Sequence, residues 1–171
     1  MQKILEELEK DILTVCDILK SVSENSASQS PAPGKWSVKE ILGHLIDSAF
    51  NNQCRFILMH SRDSLLFESY DQEKWVELNV YRNRIFEDII RSWKVINLHI
   101  LYTLKNFDDT FWNKKFTSHS LNKSYWKAIS INEIATPAHF VKDYFAHMRH
   151  HLKQISRIIN LDFSFGEILY K

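Results

Sequence analysis

The sequence predicts an all-α protein, a four-helix bundle, and three observations carry that prediction. Its 171 residues include only 3 Gly and 3 Pro, too few turn-formers for a many-stranded sheet. A hydrophobic fraction of 44% and an aromatic fraction of 13% are enough for one real core. Apolar residues recur at spacings of three and four over long stretches, which is the helical period. One domain over residues 1–171 is the expected organisation.

Ile4, Leu8, Ile12, Val15, Leu19 and Val22 define the first amphipathic helix. Residues 23–35, SENSASQSPAPGK, are rich in Ser, Pro and Ala and read as a loop. Ser37 and Glu40 form an S-x-x-E capping box, so a second helix starts near residue 37 and runs to about 59. Trp36, just ahead of the box, reads as a hydrophobic staple on that start. Residues 60–80 are mixed and predict an irregular connection with one short helical piece. A third helix, from about 81 to 105, carries Ile85, Ile89, Trp93, Ile96 and Ile100 on one face. Residues 107–129 show no sustained period, and their aromatics predict a loop packed onto the body. Ser130 and Glu133 repeat the capping pattern and predict a short helix. Thr136 and Pro137 then open the last helix, because Pro is tolerated at the first helical position. Four long amphipathic helices joined by connections of unequal length describe a bundle.

Charge and termini narrow the partners. Lys plus Arg is 22 against 21 for Asp plus Glu, a formal charge of +1, so no basic excess calls for nucleic acid or an anionic membrane. Lys142, Arg149, Lys153 and Arg157 form a basic stripe on the outer face of the last helix, which reads as solvated surface. The N-terminal MQKILEELEKDIL lacks the apolar core of a signal peptide, and no run approaches the length of a membrane span. Cys16 and Cys54 fit no CxxC pattern, and Cys54 reads as an inert thiol. A soluble cytoplasmic protein in a reducing compartment is the expectation.

Residues 143–155, DYFAHMRHHLKQI, place three histidines within five positions. At about 100° per residue, His151 falls inside the apolar sector and His147 at its edge. His150 and His139 turn outward, to the side that carries Arg157. Histidines at i and i+4 can present ring nitrogens to one ion. The intervening MRH puts no Glu beside the first histidine, which removes the H-E-x-x-H protease reading. A third ligand has four candidates, His44, His60, His99 and His119. His60 and His99 read as ordinary histidines and His119 falls in the unassigned loop. His44 lies away from the stripe of Ile41, Leu42, Leu45, Ala49 and Phe56, so periodicity does not nominate it, although a ligand lining a cleft could sit there.

The block GKWSVKEILGHLIDSAFNNQCRF, the piece YDQEKWVELNVYRNR and DYFAHMRHHLKQI together resemble the DinB superfamily, in particular its YfiT-like branch. The resemblance covers nearly the whole chain. It is most specific at Trp36-Ser37-x-x-Glu40-x-x-x-His44 and Tyr144-x-x-His147-x-x-x-His151. It implies an up-down-down-up four-helix bundle with long connections between helices 2 and 3 and between helices 3 and 4. It also implies a metal site of His44, His147 and His151. Zinc and nickel both suit imidazole ligands. An ion with an open position would lower the pKa of a water for hydrolysis, or hold a low-molecular-weight thiol as thiolate for S-transfer. The implied function is a metal-dependent enzyme, hydrolase or thiol-dependent transferase, acting on a small molecule, with a homodimer expected. A non-catalytic metal-binding or partner-binding bundle is the alternative, because no general acid or base identifies itself. Asp47, three residues after His44, and Asp143, four before His147, are spaced to orient a ligand imidazole or to be plain solvated carboxylates. Asn51 and Arg55 continue the polar side of the second helix, as cleft lining or as surface.

Overall fold

The computed structural model describes residues 1–122 and 128–165, and its helices form where the apolar period and the caps place them. α1 spans Gln2–Leu19 and buries Leu5, Leu8, Ile12, Val15 and Leu19. A five-residue helix, α2 (Glu24–Ser28), follows, capped by the Ser23 hydroxyl, where a plain loop was expected. α3 spans Val38–Ser61 and starts at the complete Ser37–Glu40 capping box. α4 (Gln72–Asn79) supplies the expected short piece of the next connection and ends at Val80, which turns the chain in the left-handed region with φ 48°. A 3₁₀ turn at Tyr81–Asn83 leads to α5 (Phe86–Lys105). The one-turn α6 (Asp109–Trp112) precedes α7, Pro137–Ile159, which is capped by Thr136 with Pro at its start.

The four long helices make an all-α, four-helix bundle. Side-chain pairs give their directions. Phe56 meets Phe140 and Tyr144, while His44 meets His147 and His151, so α3 and α7 run antiparallel. Gln53 donates to Thr103, and Ile46 shares a cleft with Ile96, so α3 and α5 run parallel. Lys105 at the end of α5 pairs with Glu9 of α1, while Lys94, three turns earlier, lies near Cys16 later in α1, so those two helices run antiparallel. The order is therefore up-down-down-up. A parallel α3–α5 pair needs a crossover, and residues 62–85 supply it. No helix among the described residues is long and apolar enough to cross a membrane.

Three local expectations differ. α5 begins at Phe86 and not near residue 81, and Ile85 is its exposed cap rather than part of its buried face. Glu133 does accept from the Ser130 N–H, but the hydrogen bond closes a turn and no helix follows. The reason is Ala135, whose backbone pairs with Phe116 and draws the chain into an extended contact. Arg149 does not sit on an outer stripe. It is 6% exposed and pairs with Asp11 of α1, so the guanidinium bridges the first and last helices. The 107–129 segment packs as expected, burying Phe111, Phe116 and Leu121, although residues 123–127 lie outside the described set.

Two contacts tie the crossover to α3. Buried Lys39 donates to the carbonyls of Arg82 and Arg84 and pairs with Glu24. Tyr81 lies flat on Gly43, where a Cβ would stand 2.2 Å from ring carbons. The Tyr81 hydroxyl donates to Asp47 at 2.6 Å and fixes the ring in place. Gly43→Ala therefore has to displace a pinned ring. It is expected to destabilise by about 2 kcal/mol despite alanine's better helix propensity. Urea denaturation should show a lower midpoint at unchanged slope, and an equal midpoint would show that the ring moves freely.

Candidate metal centre

α3 and α7 cross so that three imidazoles meet. His44 Nε2 lies 3.3 Å from His147 Nε2, and the His44 ring centroid is 4.7 Å from that of His151. Ligand nitrogens of His44, His147 and His151 all fall within 4.8 Å of one another. The capping box sets the register of α3, and Trp36 packs against His44 from the preceding loop, with ring centroids 5.2 Å apart and tilted by 38°. On α7, His147 and His151 follow one turn apart, and Thr136 and Pro137 set where that helix begins.

Burial keeps all three rings neutral. It drives His44 down to about 3, with the neighbouring His151 adding to the effect. His151 is lowered to about 4, mainly by burial, and His147 falls well below the ordinary value for the same reason. Neutral imidazoles carry lone pairs, which is the form a metal requires. His151 Nδ1 donates to Gln154 Oε1 at 2.9 Å, so its Nε2 is the lone-pair nitrogen. Gln154 Nε2 in turn reaches His150 Nε2 at 3.0 Å, which holds the amide in that orientation.

The donor set fits an ion. Two nitrogens bound at 2.0–2.1 Å and a tetrahedral angle stand about 3.3 Å apart, the separation of the His44 and His147 nitrogens. His44 Nδ1 is buried without a hydrogen-bond partner among the described residues, so no hydrogen bond there competes for the ring's orientation toward the cluster. Three histidines with further positions open match the ligand count of a catalytic centre rather than a closed structural one.

The model of the DinB superfamily matches residues 5–155. The chain belongs to the DinB superfamily. A Bacillus cereus (strain AH820) protein named "Putative metal-dependent hydrolase" is 25% identical over 104 residues, 56% of this chain and 59% of that protein. A second, from Bacillus cereus (strain B4264) and bearing the same description, is 29% identical over 65 residues, 36% of this chain and 38% of that protein. The chain thus spans 59% or less of the length of these curated relatives. Among solved structures, YfiT from Bacillus subtilis, described as "a probable metal-dependent hydrolase with an unusual four-helix bundle topology", superposes with a TM-score of 0.72 at 19% identity. That match covers 94% of this chain and 88% of YfiT, and it establishes the shared fold.

Around its histidines this DinB-superfamily chain builds two cavities. The inner one, of about 140 Å³, is polar, with Ser48, Asn52, Arg55, Tyr70 and Asp143 beside His44 and His147. Arg55 is only 8% exposed and donates to the Glu68 carbonyl at 2.7 Å, so it lines the cleft and is not surface. Asn52 lines the cleft in place of Asn51, which bonds the Asp47 carbonyl. Tyr70 is raised to about 12 by burial, with nearby Asp47 adding to the rise, and so stays a hydroxyl. Asp47 accepts from Tyr81 and Asn79 and makes no hydrogen bond to His44, so it braces the crossover instead of orienting that ligand. Asp143 is buried and lines the cavity with His147.

The other histidines separate from the centre. His60 stacks on Phe111, His99 is exposed, and buried His119 is held by the Glu133 carbonyl and the Leu121 N–H. His139 and His150 are half-buried rather than fully outward. Cys54 is exposed, and Cys16 is buried with its thiol pushed up to about 11, so neither thiol lines the inner cavity. Sequence reasoning missed Gln154, Tyr70 and Gln72, and gave Trp36 only a stapling role. Gln154 could have been found, because it sits at i+3 and i+4 from His151 and His150. Tyr70 and Gln72 lie in a connection where no period operates.

The depressed histidines make a pH prediction for the ion-free chain. Unfolded histidines protonate below about pH 6.5, while the folded triad does not, so the unfolded state binds more protons and stability falls as pH falls. His151→Gln should shallow that slope by up to about 1.4 kcal/mol per pH unit between roughly pH 6.5 and 4. Urea unfolding in chelator across this range measures it, and an unchanged slope would assign the acid sensitivity to other groups.

Proposed function

We propose that this chain is a metal-dependent hydrolase of a small molecule, with one divalent transition ion, zinc or nickel, held by His44, His147 and His151. The observation that carries the reading is the 3.3 Å approach of the Nε2 atoms of buried His44 and half-buried His147, with the His151 ring beside them. The description carried by its relatives supports the same chemistry. An ion held there supplies Lewis acidity and lowers the pKa of a water or thiol placed against it.

The chain's own groups do the remaining work. Gln154 holds His151 in the tautomer that presents Nε2. Trp36 shields one face of His44, and burial keeps the triad deprotonated at neutral pH. In the inner cavity Arg55 offers a cation and Tyr70 a hydroxyl proton to an oxygen that gains charge in the transition state. Asp143 lines the same cavity and is the carboxylate there that would receive a proton from a water activated at the centre.

S-transfer from a low-molecular-weight thiol is the second reading. Neither cysteine of the chain lines the inner cavity, so the thiol would enter as a cosubstrate. Purified protein should carry close to one divalent ion per chain by elemental analysis, and His44→Ala should carry essentially none. Unchanged metal content in that variant would sink the site. Turnover of ester and amide panels that proceeds without added thiol supports hydrolysis, whereas strict thiol dependence selects the transferase.

A homodimer belongs to the same proposal. Phe50 and Ile57 on α3 and Val95 and Tyr102 on α5 are exposed apolar side chains, and those two helices are neighbours. Sedimentation at micromolar concentration should give a dimer that Phe50→Glu converts to monomer, and a wild-type monomer would reject it.

A further inference from the structure

The histidine centre lies between two unlike cavities, and the outer one has no role in the hydrolysis just described. His44 and His147 line the small polar cavity, while His151 lines an outer groove of about 560 Å³. Gln72, at the start of α4, lines both and marks their junction. The outer groove runs between the 31–36 loop and the C-terminal half of α7. Trp36, Ile41 and Ile158 give it apolar walls, and Lys35, Arg157 and Glu73 stand at it as charged groups, a net of one positive charge. Its volume falls within the range of about 300–1,000 Å³ common for small-molecule pockets, whereas the inner cavity is too small to hold a substrate's body.

We propose that the outer groove is the subsite for the non-reacting body of the substrate, and that this body is an apolar chain or ring ending in an anionic group. The apolar part lies on Trp36, Ile41 and Ile158. The anion pairs with Lys35 and Arg157, and the opposite end of the molecule passes Gln72 and His151 to reach the centre. The sign of the charge follows from the two cations against one carboxylate at the groove. Specificity then resides in the loop before α3 and the end of α7, while the chemistry resides in the inner cavity. This assignment rests on the three-histidine centre being the reaction site, although binding in the groove is measurable without an ion.

Titration of the metal-free protein with 4-phenylbutane-1-sulfonate, followed by ¹H–¹⁵N NMR, tests it. The indole N–H signal of Trp36, identified by its loss in Trp36→Phe, should shift saturably along with amides of residues 34–36 and 154–158. The oppositely charged 4-phenylbutylammonium should bind about tenfold more weakly to the wild-type protein. Lys35→Glu with Arg157→Glu should remove that preference while leaving metal content at the wild-type level. Equal affinity for the two probes, shifts confined to the exposed α3–α5 face at Phe50 and Val95, or a preference retained in the double variant would each overturn the proposal. The probe comparison uses wild-type protein, so it stands even if the variant folds poorly. Failure of metal uptake in wild-type protein overturns the hydrolase reading instead, and the two failures are distinct.

Discussion

Three imidazoles brought together between α3 and α7, one of them fully buried and two half-buried, are the constraint to which the rest of this structure answers. A buried polar ring is costly unless its nitrogens are used. Here Gln154 satisfies His151, and His44 and His147 share one contact between their Nε2 atoms, while His44 Nδ1 keeps a buried, unused nitrogen. That arrangement survives only if α3 and α7 hold a single register. The aromatic contacts of Phe56 with Phe140 and Tyr144, three turns along α3, lock it. A slip of one residue on either helix would rotate a histidine by about 100° and break the cluster. The apolar part of the interface thus positions the polar part, as close packing in one arrangement requires.

The parallel α3–α5 pair has a further consequence for the site. Its crossover must pass an end of the bundle, and it does so beside the histidines, delivering Tyr70 and Gln72 to their cavities. Buried Lys39 and the Tyr81–Asp47 pair attach this crossover to α3, so residues far from the centre set where its walls stand. Burial raises the Asp47 carboxyl above its ordinary value, and the hydrogen bond from Tyr81 opposes that rise. Arg149 does similar work across the bundle, where its pairing with Asp11 joins α7 to α1. Lys39, Asp47 and Arg149 are buried and each is held by a hydrogen bond or ion pair, which suits rigid positioning better than raw stability.

Much of this was legible in the sequence. The 3.6-residue period, the Ser37–Glu40 box and Thr136–Pro137 located the long helices, because local hydrogen bonding and a single buried stripe decide them. The same periodicity selected His147 and His151 over His150, since the three share one helix and one wheel. His44 became a candidate only by resemblance. A polar residue off the stripe of α3 looks like surface until another helix covers it. Ser130–Glu133 failed for the converse reason: its local signal was genuine, and a strand-like pairing of Ala135 with Phe116 overrode it.

The sequence by itself determined the helices, their caps, the apolar faces and a pair of histidines one turn apart, all properties of residues within a few positions of each other. Only the tertiary structure decided that His44 meets that pair, that Arg55 and Arg149 are buried, and that Tyr70, Gln72 and Trp36 wall the cavities. The physical reason is range. Secondary structure follows from hydrogen bonds and periodicity along one segment. The burial of a polar side chain depends on which distant segment brings its partner, and packing of the whole bundle makes that choice.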